Sequence, residues 1–318
     1  MKKKIAIALK LIISVALIYF VFKSCDIDLV QTWSKLQETD LKWFIIGCIL
    51  FLSTTFTNTY RWLKLASLLG YKVKYLHGLK TYFESLFGNN FLPTNFGGDA
   101  LKAYDIGKAD KSWLRAASTV IMERLFGFTM LFSLVPIGLI VSKYTIYRDA
   151  IPAKLEFALW LVPAGALFGI ISFPLWSKIP LNFIQKVKYA VQEYTRCHKS
   201  LLSVIVWTFI THILFISGNI SIALAMGAGL DQIPFWFWLI LIPASSLAGF
   251  VVPSVKGVGA KEASYIYLLG LIGVNGDISL AIAFLTFIAT VIVSLPGASI
   301  AFRKVKIPKM GNDTETES

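Results

Sequence analysis

Eight charged side chains lie in or beside otherwise apolar stretches of this 318-residue chain, and they are the residues whose chemistry demands an explanation. The acids are Glu84, Asp99, Glu123 and Glu262, and the bases are Lys10, Arg124, Lys256 and Lys261. A charged group at the centre of a bilayer costs roughly 2.5–3.5 kcal/mol on insertion scales, so it persists only where it is paired, hydrated or used. Lys10 is close to a helix end and reaches the interface by extending its stem. Glu123 and Arg124 are neighbours in sequence, and neighbours on a helix point about 100° apart. Each therefore needs a partner on another element, and Asp99 and Glu262 are suited to Arg124. Two chemistries fit such a set. One is a structural ion pair that locks a bundle; the other is a polar route for a charged headgroup. A third use, acid–base chemistry by Asp99 or Glu123, requires carboxylates tuned to that task.

The elements that must position these groups are two interrupted apolar segments. The first, 78–99, reads Ser85-Leu86-Phe87-Gly88-Asn89-Asn90, then Pro93, then Gly97-Gly98-Asp99. The second, 246–273, reads Ser246-Leu247-Ala248-Gly249, then Pro253, then Gly257, Gly259, Lys261 and Glu262. Paired Gly/Pro-broken segments in corresponding positions of two halves mark binding sites in transporters and raise the expectation of an internal inverted repeat. Glycines admit backbone close to a ligand, and exposed N–H groups at half-helix starts attract anions. Lys256 and Lys261 add positive charge beside Gly257 and Gly259, so a phosphate or other lipid-headgroup anion is the expected guest. Gly and Pro used only for packing and kinking is the alternative.

The rest of the chain supplies the solvent for this arrangement. Hydrophobic residues make up 56% of it and charged residues 15%, with mean hydropathy +0.67; soluble domains average about 25% charged. Six long apolar runs lie at 5–22, 41–60, 116–142, 155–176, 201–226 and 278–301, each near the ~20 residues that a spanning helix needs. The expected fold is all-α: a polytopic integral membrane helix bundle of about six to eight transmembrane segments, two of them broken. No small-residue cleavage site follows the first run, which reads as a retained helix. The expected organisation is one membrane domain over 1–302 and a polar, disordered tail over 303–318.

Lys and Arg placement orients the bundle. Most of these residues fall near Lys2–Lys4, between Arg61 and Lys80, between Lys102 and Arg115, between Lys178 and Lys199, and after Arg303, all on one side if the N-terminus is cytoplasmic. Both ends are then cytoplasmic in the cell (inner) membrane, and 78–99 enters and returns on the same side as a re-entrant hairpin. The net charge of +13 follows from these loops and is no nucleic-acid signal. Residues 178–200 read either as a basic amphipathic segment on the inner surface or as an ordinary positive loop. Cys25, Cys48 and Cys197 lack paired spacing, and the three histidines form no metal motif, so neither metal nor cofactor is expected.

The broken segments also carry a family resemblance. Asn90 to Asp99 resembles the N-x-L-P-x-x-x-G-G-D signature of the flippase-like transmembrane family, which includes the membrane part of lysylphosphatidylglycerol synthases. Glu123-Arg124-Leu125-Phe126-Gly127 is similar to its E-R-x-x-G element, and Pro253 to Glu262 to its P-x-P-G-G-x-G-x-x-E element. Arg61-Trp62 resembles a basic-aromatic pair after its second helix. Val255 and Lys256 depart from the usual Pro and Gly, and Lys102 replaces a usual Arg, keeping charge without the bidentate fork. The resemblance implies translocation of a charged lipid between leaflets. It also implies no aminoacyl transfer, because only a short polar stretch follows Ala301. The expected headgroup route is lined by Glu84, Asn89, Asn90, Pro93, Gly97, Gly98, Asp99, Lys102, Glu123, Arg124, Lys256, Gly257, Gly259, Lys261 and Glu262. An intramembrane enzyme or glycosyltransferase partner acting on polyprenyl-phosphate sugars, and a purely structural membrane partner, are the alternatives.

Overall fold

A computed structural model describes residues 29–91, 97–108, 112–173, 182–195, 198–252 and 259–301, and these are helical throughout, joined by turns. In chain order the helices are α1 (Leu29–Gln37), α2 (Leu41–Leu68), α3 (Tyr75–Phe91), α4 (Gly97–Gly107), α5 (Trp113–Ser142) and α6 (Ala153–Ile171). They continue with α7 (Asn182–Thr195), α8 (His198–Ala225), α9 (Phe235–Val251), α10 (Ala260–Leu271), α11 (Gly276–Ser294) and α12 (Pro296–Ala301). The apolar run at 5–22 and the tail at 303–318 lie outside the described residues.

Helices long and apolar enough to cross a membrane run over Leu41–Leu68, Trp113–Ser142, Leu201–Ala225 and Gly276–Ala298. The 19-residue α6 covers most of the apolar run at 155–176. The chain is a polytopic helical membrane protein. Local signals set the starts of its helices. The Asp40 carboxylate accepts the Lys42 N–H at 2.8 Å to open α2, and the Asn275 side chain accepts the Asp277 N–H at 2.8 Å to open α11.

Helices α2 and α8 form the most extensive pair. Small residues let their backbones approach, as is usual between helices in lipid: Gly47 faces Ile222 and Gly218 faces Phe51, whose ring lies 5.3 Å from that of Phe215. Helix α9 packs on α5 in the same way, with Gly138 against Trp236 and Ile240. A polar node ties α8 to two further helices: Tyr265 of α10 donates to Asn219 of α8 at 2.8 Å, and Thr286 of α11 to the same oxygen at 3.4 Å.

Both interrupted segments are pairs of short helices packed on each other. Legs α3 and α9 have 17 residues each, α4 has 11 and α10 has 12. At 1.5 Å per residue these lengths are about 26, 17 and 18 Å, short of the ~30 Å hydrocarbon core. In the first pair the chain turns back on itself: Ser85 meets Asp99, and Thr81 meets Asp105. Gly98 makes the approach possible, since a Cβ there would overlap the Ser85 carbonyl and lie 2.8 Å from the Asn89 nitrogen.

Two details depart from the sequence expectations. Arg61 was placed in a cytoplasmic segment after the apolar run 41–60, but α2 continues to Leu68 and holds Arg61 inside the bundle. Within the basic segment 178–200, α7 buries Val187, Ala190 and Tyr194 in a second core with Trp62, Leu65 and Met122. Their spacing of three and four residues puts them on one face, and the Tyr194 hydroxyl donates to the Leu65 carbonyl at 3.0 Å. The apolar stripe of this helix is thus covered by protein.

Candidate functional site: a buried five-charge network

Beside the second core, α2, α4 and α5 bring five charged side chains together, and α3 supplies polar groups around them. Glu123 of α5 is the centre. Its Oε2 accepts from Lys102 Nζ at 2.7 Å, and its Oε1 from the Tyr82 hydroxyl at 2.9 Å and from Arg61 Nη2 at 3.4 Å. Lys102 also reaches Asp99 Oδ1, one turn earlier on α4, at 3.2 Å. Asp99 Oδ2 in turn accepts from Arg124 Nε at 2.9 Å and Nη2 at 2.7 Å. The order is Arg61–Glu123–Lys102–Asp99–Arg124, alternating in sign.

Neutral groups complete it. Ser85 donates to Asp99 Oδ1 at 3.5 Å and Asn89 to the same oxygen at 3.4 Å. The Asn89 carbonyl oxygen accepts the Gly98 N–H at 2.9 Å, which caps the start of α4 from the opposite leg of the hairpin. Lys102 Nζ sits 4.7 Å from the centre of the Tyr82 ring and 5.9 Å from that of Trp62, within cation–π range. Trp62 donates to Thr119 at 3.2 Å.

Exposure along the network is graded. Lys102 is 2% exposed, Glu123 3%, Asp99 4% and Arg61 6%, whereas the Arg124 side chain is 40% exposed. One end is therefore presented outward and the rest is sealed. Sealed charges of this kind are strongly interdependent: deleting one partner of a buried pair typically costs about 3–5 kcal/mol, because the other is left uncompensated.

The remaining candidates are dispersed. Glu84 is half-buried on α3, away from the network and nearer Asp105 and His77. Asn90 donates to Ser294 at 2.7 Å and to the Thr290 carbonyl at 3.4 Å, fastening the end of α3 to α11. Gly97 is the half-buried first residue of α4. At the second broken segment Gly259 has φ +87°, a conformation glycine adopts without strain, and precedes α10. Its N–H donates to Glu262 Oε2 at 2.6 Å, so Glu262 caps its own helix while Asp99 is the carboxylate paired with Arg124. The stem of Lys261 packs against Gly249 of α9. Pro93, Lys256 and Gly257 lie outside the described residues. Among the described residues no three His, Cys, Asp or Glu side chains converge as a metal site requires.

The family model of the lysylphosphatidylglycerol synthase TM region matches this chain from residue 7 to residue 297, taking in both broken segments and every charge of the network. The chain belongs to this family. A UPF0104 membrane protein of Archaeoglobus fulgidus is 23% identical over 135 residues, 42% of this chain and 40% of that relative, so the match spans less than half of either.

Three residues of the network, Tyr82, Arg61 and Ser85, were not among the candidate lining residues read from sequence, although Ser85 stands in the first broken segment. Tyr82 carries no sequence signal, since a tyrosine in an apolar helix has many uses. Arg61 had one, as half of the basic-aromatic pair Arg61-Trp62.

Proposed function

We propose that this chain is a lipid flippase that moves a charged headgroup between the leaflets of the cell membrane while the acyl chains stay in lipid. The headgroup is that of an anionic or aminoacylated phospholipid, or of a lipid-linked precursor. The chain sits with both termini in the cytoplasm. The observation that carries this reading is the Asp99–Arg124 pair: a cation 40% exposed, gripped by a carboxylate 5% exposed, at the open end of an otherwise sealed ion chain. A partly exposed guanidinium that already gives two donors to a carboxylate can hold a phosphate by the same two-donor geometry. The network behind it supplies alternative partners, so no charge is left bare when Asp99 releases Arg124. Family membership supports a membrane-lipid role at this site.

The test is transbilayer movement of fluorescent phosphatidylglycerol in proteoliposomes, followed by quenching from outside. Wild-type protein accelerates movement, and Asp99→Asn or Arg124→Ala abolishes it while the proteins remain folded and monodisperse. Absence of movement for every anionic, aminoacylated and lipid-linked substrate tried would overturn the proposal.

A further inference from the structure

Arg61 is the least satisfied buried charge among the described residues. Its one hydrogen bond is the 3.4 Å contact to Glu123, and its Nε and Nη1 are buried with no hydrogen-bond partner. The other two cations are held far more closely, Lys102 at 2.7 Å by Glu123 and Arg124 at 2.7 Å by Asp99. A buried charged donor without an acceptor is unfavourable, so it is the group in the network that gains most from an incoming oxygen.

The sign of the whole network points the same way. Three cations (Arg61, Lys102 and Arg124) face two carboxylates (Asp99 and Glu123), a formal surplus of one positive charge, and Arg61 is the most loosely paired of the three cations. Arg61 is itself sealed, but it lies against the helix that carries Arg124. Arg124 and Gly127 are three residues apart on α5 and share a face. A Cβ at Gly127 would fall 3.9 Å from both Nη1 and Nη2 of Arg61, in ordinary contact, so the guanidinium lies directly against α5 within one turn of Glu123 and Arg124.

Resting on the flippase reading, we infer that Arg61 is the specificity-determining residue for headgroup charge. The site takes a lipid phosphodiester bearing one net negative charge and discriminates against aminoacylated lipids whose amines cancel or reverse that charge. The phosphodiester oxygens bind Arg124 first and then Arg61, whose weak contact to Glu123 yields most readily. Glu123 is retained by Lys102 and Tyr82 when this happens. An aminoacylated headgroup would bring cationic amines to a site that already holds an excess cation.

Binding, measured apart from transport, tests this. Full-length protein is exchanged into micelles holding equal amounts of phosphatidylglycerol, lysyl-phosphatidylglycerol and phosphatidylcholine, and retained lipid is quantified by native mass spectrometry. Wild type retains phosphatidylglycerol over the lysyl lipid by about tenfold or more, a difference of ~1.4 kcal/mol. Arg61→Gln removes the preference and Arg61→Lys, which keeps the charge, preserves part of it. If Arg61→Gln does not fold, Glu123→Gln gives the answer from the opposite direction: it raises the positive surplus and the preference for the anionic lipid rises. Equal or better retention of the lysyl lipid by wild type overturns the inference. So does a ratio unmoved by both Arg61→Gln and Glu123→Gln. Selective binding of phosphatidylglycerol without transbilayer movement sinks the flippase reading and leaves the charge assignment standing.

Discussion

Lys102 Nζ lies 2.7 Å from Glu123 Oε2, and both side chains are sealed from their surroundings although they come from different helices, α4 and α5. This contact fixes the packed pair of short helices α3 and α4 to the long helix α5 behind it. Lys102 bonds Asp99 on its own helix and Glu123 across the interface, so the two carboxylates share one cation, and the rest of the network is organised around that sharing.

Removing Glu123 therefore has a large structural cost. Glu123→Ala leaves Lys102 and Arg61 facing each other without their common anion, and the expected loss is about 3–5 kcal/mol. A thermal unfolding series of the purified protein measures it. The Lys102→Met/Glu123→Ala double variant is expected to lose less than the sum of the single losses, with a coupling of about 0.5–3 kcal/mol. Strict additivity would mean that the pair does not act as a unit.

Backbone approach gives a second, chemically separate prediction. Gly98→Ala puts a methyl group onto the Ser85 carbonyl and 2.8 Å from the Asn89 nitrogen, so α3 and α4 must part. At Gly165 in α6 nothing lies within 4 Å of an added Cβ, and Gly165→Ala is expected to be neutral, or stabilising by up to ~1 kcal/mol through helix propensity. Melting temperatures of the two variants, in the same detergent, decide it: Gly98→Ala falls and Gly165→Ala does not.

Tyr82 separates polarity from packing. Tyr82→Phe keeps the ring under Lys102 but deletes the donor to Glu123 Oε1, a hydrogen bond to a charged group worth about 1.5–3 kcal/mol. The variant is expected to fold, melt lower than wild type, and shift Glu123 toward Arg61. Infrared difference spectra in the carboxylate region, with Glu123→Gln as the assignment control, report that shift. An unchanged melting temperature together with an unchanged spectrum would remove Tyr82 from the network.

How much of this was legible beforehand depends on the kind of signal. Asp99 and Arg124 stood out because charge inside an apolar run is costly and rare, and a break of Gly and Pro around Asp99 announced a hairpin. The helix lengths confirm the break but could not be read to the residue, because 92–96 carries no periodic pattern to bound it. Arg61 was misplaced for a physical reason: a cation at the end of an apolar run normally reaches to the interface, and only tertiary packing reveals that α2 continues past it. Tyr82 was silent because its role depends on what lies opposite. Glu262 shows the reverse problem, since a carboxylate in a broken segment looks like a partner for a distant cation and here satisfies a backbone N–H three residues away.

The central claim is that a lipid headgroup enters the bundle at Arg124, and mapping where a headgroup touches the protein tests it most directly. A phosphatidylglycerol analogue with a photoreactive group on the headgroup is incorporated into proteoliposomes with the wild-type protein, irradiated, and its adducts located by peptide mass spectrometry. The expected adducts fall between Ser85 and Asn89 on α3 and between Arg124 and Gly127 on α5, and they disappear with excess unlabelled phosphatidylglycerol. Adducts confined to outward-facing positions such as Ile137 and Ile140, and indifferent to that competitor, would contradict it.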